Sequence, residues 1–304
     1  HQYAYGATYS KKFNVPFILP GEWEGLRLFK SQKHEVLKDD ELRLWFNQTS
    51  KEMDTLESRG KAVDQFNKRT GAKYEYVNPD IPKQVYGGKK AVYFDSVCAY
   101  HPKVFKGQSA KYLKEEVFAF NEHVKNLDVY KEFEEKAGTY DIAHLRRDDI
   151  SNASYNKSNI QGYSVVGKGS YEKAFEKHGF DPEKMEWTSD DRTGRWHVGR
   201  VAEEKMGGWR YPEGCDYLGP DLIFDWLHDF LRLYFARTIF RANSSFSWWA
   251  GFLSPTAQVY SPVLDKQFIY GRDNNGEEKE IEVEFVKGNH PHWMYDRKDI
   301  RIGK

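Results

Sequence analysis

Strand-like and helix-like segments alternate through the second half of the chain, and this pattern restricts the fold more than any other feature. Five apolar runs have the length and composition of strands, at 140–145, 163–166, 185–188, 238–241 and 258–261. Three segments between them have helical periodicity, at 170–178, 221–236 and 245–253. Strands that alternate with helices form βαβ units around a parallel sheet. The sequence therefore predicts an α/β fold.

The first half of the chain predicts a second domain of similar size. Apolar runs at 13–19 and 91–100 predict strands, and periodic apolar residues over 111–136 predict one long helix. Ala137-Gly138 ends that helix, and 304 residues suffice for two domains of about 150 residues each. We therefore expect two Rossmann-like domains, residues 1–138 and 139–304.

Three of the predicted strands end in polar loops. The loops read HLRRDD over 144–149, SDD over 189–191 and RANSSFSWW over 241–249. Ligands of parallel α/β sheets bind where the carboxyl ends of strands meet the following loops. These three loops are therefore the places where binding and catalysis are expected.

The first two loops each allow a binding role and a structural role. Arg146 and Arg147 suit a diphosphate because a guanidinium binds phosphate oxygens through two parallel hydrogen bonds. A surface cluster of Arg–Asp ion pairs is the structural alternative. Ser189, Asp190 and Asp191 could bind ribose hydroxyls, hold a metal or cap the next turn.

The third loop has small hydroxyl residues at a predicted helix N-terminus. Ser244 and Ser245 lie where free backbone N–H groups and the helix dipole attract phosphate. Asn243 and Ser244 could also simply cap the helix while Phe246 packs in the core. Together the three loops describe a nucleotide-diphosphate site that requires no metal, because arginine and a helix N-terminus can balance the phosphate charge.

Bulk properties argue against several other classes. The 46 basic residues equal the 46 acidic residues, whereas nucleic-acid binders usually have a basic excess. Cys98 and Cys215 provide neither a disulfide framework nor the spacing of a metal site, although a single bridge stays open. No apolar run reaches about 18 residues, so no integral membrane segment is expected. We expect a cytoplasmic protein, or a Golgi-lumenal one if an N-terminal anchor was removed. The oligomeric state is not indicated.

Five segments resemble the superfamily of α1,2-fucosyltransferases, α1,6-fucosyltransferases and protein O-fucosyltransferases, and they resemble the α1,2 family most. HLRRDD is similar to its HxRRxD motif, TSDD to its FSDD-like segment, and RANSSFSWWAGFLS with VYSP to its SNSSFSWWAAWL…IAP segment. HQYAYGATYSKKFNVPFIL and VYFDSVCAY resemble segments of its N-terminal half. The order and rough spacing of all five agree, so the resemblance extends over nearly the whole chain.

The resemblance implies a metal-independent inverting glycosyltransferase with a GT-B fold, two Rossmann-like domains that face each other across a cleft. It implies GDP-fucose as co-substrate, held mainly by the domain at 139–304, with no separate cofactor, and it places a glycan acceptor on the side of the domain at 1–138. Arg146 would stabilise the leaving diphosphate, and Asp148 and Asp149 are candidates for the general base. The donor would be bound by these residues: His144, Arg146, Arg147, Ser189, Asp190, Asp191, Asn243, Ser244, Ser245, Phe246 and Ser247.

Two departures from the family pattern leave the donor open. The family's GxGNQ loop would precede His1, and Asp148 stands where the family usually has glycine. UDP- or GDP-linked xylose, rhamnose or galactose is therefore an alternative donor, and a non-catalytic carbohydrate-binding scaffold is an alternative from a different class. Four glycosylation sequons occur, at Asn47, Asn152, Asn156 and Asn243, and we expect Asn243 to be unmodified because a glycan there would block the site.

Overall fold

The structure is a computed structural model of the chain, and it divides into two compact units, His1–Lys125 and Asn126–Lys304. It describes residues 2–14, 18–20, 25–30, 35–37, 61, 64–65, 67–69, 71, 73–76, 90–92, 105–146, 165–189, 226–264 and 280–290. The domain boundary after residue 138 stays a prediction.

The first unit combines short helices with two pairs of short strands. The helices whose bounds are described include α1 (Gln2–Phe13), α2 (Gly25–Leu28), α3 (Gly107–Tyr112), a π-helical segment (Leu113–Val117) and α4 (Glu122–Lys125). Its strands are β1 (Ile18–Pro20), β2 (Glu35–Leu37), β3 (Tyr74–Tyr76) and β4 (Lys90–Val92), with β1 parallel to β2 and β3 parallel to β4. Ala4 and Ala7 of α1 are buried, as are Leu113 and Val117 of the π-helical segment.

The second unit is built on a five-stranded sheet. Its helices are α5 (Asp128–Glu135), α6 (Lys168–His178), α7 (Leu227–Tyr234) and α8 (Ser245–Leu253), with a 3-10 turn at Pro182–Lys184. Its strands are β5 (Asp141–Leu145), β6 (Val165–Val166), β7 (Glu186–Ser189), β8 (Thr238–Phe240), β9 (Gln258–Pro262), β10 (Glu280–Ile281) and β11 (Phe285–Lys287).

The sheet has the strand order β11-β9-β8-β5-β7. The pairs β9–β8, β8–β5 and β5–β7 are parallel, and only β11 runs antiparallel to its neighbour β9. β10 and β6 form a separate parallel pair. Central strands of a parallel sheet are covered on both faces, and β8 is accordingly buried at every position. The sheet confirms the α/β class that the sequence predicts.

An aromatic core fixes α6 against the sheet. Phe240 of β8 is fully buried and lies parallel to Tyr260 of β9, with ring centroids 4.6 Å apart. Phe175 of α6 meets Phe240 edge-on at 4.8 Å, and Phe180 meets it edge-on at 5.2 Å. Edge-to-face and offset stacking are the arrangements that aromatic rings prefer, so this cluster contributes specific geometry as well as apolar area.

The structure confirms the predicted bounds of α8 and the predicted end of α6, but not the predicted start of α6. α8 has the predicted bounds, and α6 ends as predicted before Gly179, which adopts the left-handed conformation at φ 75°. The predicted start of α6 at Ser170 is wrong, because the helix begins at Lys168 with Gly167 as N-cap. The Ser170 hydroxyl instead accepts a hydrogen bond from the Val283 backbone N–H at 3.0 Å.

The long helix predicted over 111–136 is also wrong, since the segment is broken twice. Phe120 forms a β-bridge with Phe29, and the side chain of Asn121 accepts the Val124 N–H at 2.9 Å, which caps a new helix. Leu127 is extended, with ψ 138°, and separates α4 from α5. The apolar periodicity therefore arises because each of three separate helical pieces buries one side, and it does not indicate one continuous helix.

The strand predicted over 13–19 is displaced. Residue 13 is the last residue of α1, and Asn14, at φ 52°, ends that helix in the left-handed conformation. The strand itself is β1. Residues 93–100 and 221–225, the remainders of a predicted strand and a predicted helix, lie outside the described residues.

Candidate functional site

The three polar loops follow strands that are direct neighbours in the sheet. β5 lies between β7 and β8, with Leu145 opposite Ser189 and Ala143 opposite Phe240. Because all three strands are parallel, their carboxyl ends lie at the same edge of the sheet. The structure therefore brings together the starts of the loops that the sequence predicts as binding loops.

Arg146 links two of these loops. It is the first residue after β5, and its Nη1 donates a hydrogen bond to the backbone carbonyl oxygen of Asn243 at 3.3 Å. Arg146 is half-buried, and Asn243 is 1% exposed. A guanidinium is charged at every relevant pH, so this contact holds a positive charge beside the start of α8.

Residues 242–245, here called the phosphate loop, form the N-terminus of α8. Ser244 has extended backbone angles, and its hydroxyl accepts the Phe246 N–H at 3.2 Å, so Ser244 is the N-cap. Ser247 is buried, with its hydroxyl 3.5 Å from the carbonyl oxygens of Ala242 and Ser244. The first N–H groups of a helix have no partner within the helix, and the cap satisfies only one of them. Capping and anion binding are therefore compatible at this helix end.

Aromatic side chains border the phosphate loop on the side of β5. Phe246 lies 5.8 Å from the His144 ring, 5.5 Å from Phe230 and 6.3 Å from Trp226, measured between ring centroids. His144 is buried, and its carbonyl oxygen accepts the Tyr171 hydroxyl at 2.8 Å. His144 and Phe246, both predicted as donor-binding residues, are thus in contact at the wall of the site.

A polar contact that sequence analysis did not find fixes the end of β7. The Thr188 hydroxyl donates to Oδ1 of Asp229 in α7 at 2.8 Å. Thr188 is buried and directly precedes Ser189, the first residue of the SDD loop. The contact therefore ties α7 to the strand end where that loop starts.

A buried arginine is the main feature that sequence analysis missed. Arg241 is fully buried; its Nε donates to the Ser261 hydroxyl at 2.8 Å and its Nη1 to the Ala242 carbonyl at 2.8 Å. Its Nη2 donates to the His290 carbonyl. The Ser261 hydroxyl also donates to the Gly288 carbonyl at 2.6 Å and accepts the His290 N–H at 3.0 Å. These contacts, here called the Arg241 knot, join the phosphate loop to β9 and to residues 288–290.

His290 is a titratable member of the knot. Burial lowers the pKa of His290 below its ordinary value, and the nearby Arg241 charge lowers that pKa further. A hydrogen bond between Nε2 and the Lys287 carbonyl, at 3.2 Å, acts in the opposite direction. Burial and the Arg241 charge thus favour the neutral ring, and the hydrogen bond to Lys287 favours the charged ring.

Several predicted site residues lie outside the described part of the chain. They are Arg147, Asp148, Asp149, Asp190 and Asp191, together with the sequons Asn47, Asn152 and Asn156. The fourth sequon, Asn243, is buried.

The described residues contain neither a metal-binding cluster nor a membrane-spanning helix. Within them, no group of three or more His, Cys, Asp or Glu side chains could hold a metal ion. No helix in the same part of the chain is long and apolar enough to cross a membrane.

The sequence matches no family model and no curated protein. Among solved structures, the chain is similar to a crystal structure of NodZ alpha-1,6-fucosyltransferase soaked with GDP-fucose. The sequences are 13% identical, the similarity covers 94% of this chain and 93% of that chain, and the TM-score is 0.44. A likeness at this level does not assign a function.

The described residues of the candidate site share features that suit an anion. They combine a half-buried guanidinium, a capped helix N-terminus and an aromatic wall at the carboxyl ends of adjacent parallel strands. A helix N-terminus and an arginine can together bind a phosphate group, and an aromatic wall can pack against a ring. This combination suits a phosphorylated ligand that also has an apolar or ring-shaped part.

Proposed function

We propose that the chain is a glycosyltransferase that moves a sugar, L-fucose from GDP-fucose, to a hydroxyl group of a glycan acceptor. The contact that supports this most is the hydrogen bond between Arg146 and the Asn243 carbonyl, because it places a permanent positive charge beside the N-terminus of α8. A nucleoside diphosphate is the leaving group that such a pair of positive features would stabilise.

The proposed reaction is a single in-line displacement. The acceptor oxygen attacks the anomeric carbon, the bond from that carbon to the diphosphate oxygen breaks, and the configuration at the anomeric carbon inverts. Negative charge develops on the departing diphosphate, where Arg146 and the N–H groups of the phosphate loop would balance it without a metal ion. Loss of one such donor typically costs about 3–4 kcal/mol of transition-state stabilisation.

The other site residues have proposed roles in donor binding. Arg147, Ser189 and the neighbouring Asp190 and Asp191 would complete the pocket for the diphosphate and the nucleoside. His144 and Phe246 would form its aromatic wall, and Asn243, Ser244, Ser245 and Ser247 would shape its phosphate end. The attacking hydroxyl must lose a proton, and Asp148 and Asp149 are the carboxylates that we propose as acceptors for it.

The choice of fucose depends on the resemblance of the five sequence segments to fucosyltransferases. The same resemblance supports the proposed GT-B arrangement, with an acceptor domain at 1–138 and a donor domain at 139–304. Asp148 adds a negative charge next to Arg146 and Arg147, where the family usually has glycine. This change near the proposed diphosphate site is the reason to test other donors as well.

The test is a donor-consumption assay in EDTA with GDP-fucose, GDP-rhamnose, UDP-xylose and UDP-galactose. We expect GDP-fucose to be consumed fastest, and the anomeric configuration of the product, read by NMR, to be inverted. Consumption of one of the other donors would replace fucose and leave the reaction class intact. Binding of a glycan without consumption of any donor would support a non-catalytic scaffold instead.

Asp148→Ala and Asp149→Ala, assayed singly, test the proton acceptor. We expect one of the two variants to lower kcat strongly with little change in KM for the donor. Near wild-type kcat in both variants would refute a base role for either carboxylate.

A further inference from the structure

We propose that Arg241 is a positioning residue that holds the phosphate loop in its binding conformation. The inference rests on the proposed function, since it assigns a role within the same site. Arg241 follows β8 directly, and its side chain points into the Arg241 knot, where it is fully buried.

The guanidinium binds three separate parts of the second unit. Nη1 holds the Ala242 carbonyl of the phosphate loop, Nε holds the Ser261 hydroxyl of β9, and Nη2 holds the His290 carbonyl. A planar guanidinium offers its donors in a fixed fork, whereas a lysine ammonium is a single point of attachment. One side chain thus fixes the loop relative to the sheet and to the segment that follows β11.

The contact with the Ala242 carbonyl determines the direction of the next peptide N–H. The peptide bond is planar and trans, so the carbonyl of Ala242 and the N–H of Asn243 point in opposite directions within one plane. Holding the carbonyl therefore orients the first N–H of the segment that leads into α8. The same carbonyl lies 3.5 Å from the Ser247 hydroxyl, which adds a second restraint on its position.

Residues 288–290 complete the restraint from outside the loop. The Gly288 N–H donates to the Val259 carbonyl at 2.7 Å, and the Asn289 side chain donates to the Trp248 carbonyl of α8 at 2.9 Å. The segment therefore binds the knot on one side and the helix on the other. These contacts within the protein therefore fix the first turns of α8 independently of a bound ligand.

Arg237 provides a matched control at the opposite end of β8. It precedes the strand, its side chain is 58% exposed, and its Nε donates to Asp141 Oδ1 at 3.0 Å. The Arg237 guanidinium is mostly exposed and the Asp141 carboxylate is largely buried, so the substitution Arg237→Met costs some stability. It removes an arginine next to the same strand and leaves every contact of the knot in place.

The experiment is calorimetric titration of wild type, Arg241→Met and Arg237→Met with GDP and with guanosine, and with UDP and uridine if the wild type prefers UDP. We expect Arg241→Met to weaken binding of the diphosphate by about tenfold or more, as small misplacements of binding groups do. Binding of the nucleoside and the stoichiometry should stay unchanged, and Arg237→Met should bind both ligands like wild type.

The affinity for the nucleoside and the binding stoichiometry distinguish a positioning role of Arg241 from a merely structural one. If Arg241 had a purely structural role, Arg241→Met would have a lower binding stoichiometry, or would bind the diphosphate and the nucleoside more weakly by the same factor. Either result would overturn the inference. Wild-type affinity of Arg241→Met for the diphosphate would overturn it too, while leaving the proposed function intact. Absence of any diphosphate binding by wild type would instead refute the proposed function.

Ser261→Ala serves if Arg241→Met does not fold. It removes the hydroxyl that Arg241 Nε binds and leaves the guanidinium in place. We expect a smaller loss of diphosphate affinity in this variant, again without a change in nucleoside affinity. An unchanged ratio of the two affinities would overturn the positioning role.

Discussion

Ser244 has two roles in the account, as N-cap of α8 and as part of the phosphate loop, and two substitutions separate them. Its hydroxyl accepts the Phe246 N–H at 3.2 Å, and the residue is 7% exposed. Ser244→Ala removes the cap and should cost about 1 kcal/mol, which lowers the Tm by about 2–4 °C for a unit of this size. Because the hydroxyl is engaged with the helix, we expect only a small loss of nucleotide affinity.

Ser244→Asp should keep the cap and abolish binding. Aspartate caps a helix about as well as serine, and its charge interacts favourably with the helix N-terminus by about 0.3–1 kcal/mol, which offsets only part of the cost of burying the carboxylate. The same charge would repel a bound diphosphate. A like charge at about 4 Å costs about 4 kcal/mol at an intermediate effective dielectric constant, so we expect at least about a hundredfold weaker binding of GDP.

Thermal unfolding and calorimetric GDP titration of both variants provide the measurement. We expect Ser244→Ala to be less stable than wild type but to bind GDP, and Ser244→Asp to fold but not to bind GDP. If Ser244→Asp binds GDP as tightly as Ser244→Ala, the N-terminus of α8 is not the phosphate site.

Three further predictions concern the structure around the site. An added Cβ at Gly251 in α8 would lie 2.8 Å from Val259 Cγ2, so Gly251→Ala should lower the free energy of unfolding by about 1–3 kcal/mol. Gly169→Ala in α6 is the control, because a Cβ there meets nothing within 4 Å and should not lower it. Equal urea midpoints of the two variants would refute the close approach at Gly251. Phe240→Ala should cost about 3–5 kcal/mol in the same assay because its ring is fully buried, and a cost below about 1 kcal/mol would contradict the aromatic core. Burial lowers the pKa of His290 below 6.5, so the unfolded chain binds a proton at this ring at higher pH than the folded chain does. Wild type should therefore lose stability relative to His290→Gln as the pH falls from about 7 to 5. Parallel profiles of stability against pH for the two proteins would contradict this.

Local signals in the sequence were sufficient for part of the fold. The bounds of α8 are predicted correctly because Ser244 is a strong N-cap and the following residues form a continuous apolar helix. The left-handed Gly179 likewise marks the end of α6. These features depend on residues that are close together in the chain.

Features that depend on distant residues could not be predicted in this way. The break before α4 depends partly on Phe120, which bridges to Phe29 far earlier in the chain. Two of the partners of Arg241 in the knot, Ser261 and His290, lie 20 and 49 residues further along the chain. An arginine after an apolar strand is the signal in the sequence, but its burial is decided only when β9 and residues 288–290 pack against it.

The candidate site was predicted in the same uneven manner. The polar loops could be located because each follows an apolar run, and the sheet order makes the three strands neighbours. The contact between Arg146 and Asn243 joins residues 97 positions apart and could not be derived from either loop alone. Thr188 and Asp229 were missed for the same reason, since they meet across 41 positions.

The central claim is a metal-independent nucleotide-diphosphate site that includes Arg146, and calorimetric titration of GDP in EDTA tests it most directly. UDP is the comparison ligand, and Arg237→Ala is the control for Arg146→Ala. The account predicts that wild type and Arg237→Ala bind GDP more tightly than UDP, and that Arg146→Ala loses about tenfold or more in GDP affinity. Equal GDP affinity of Arg146→Ala and wild type, or no binding of either nucleotide by wild type, would contradict it.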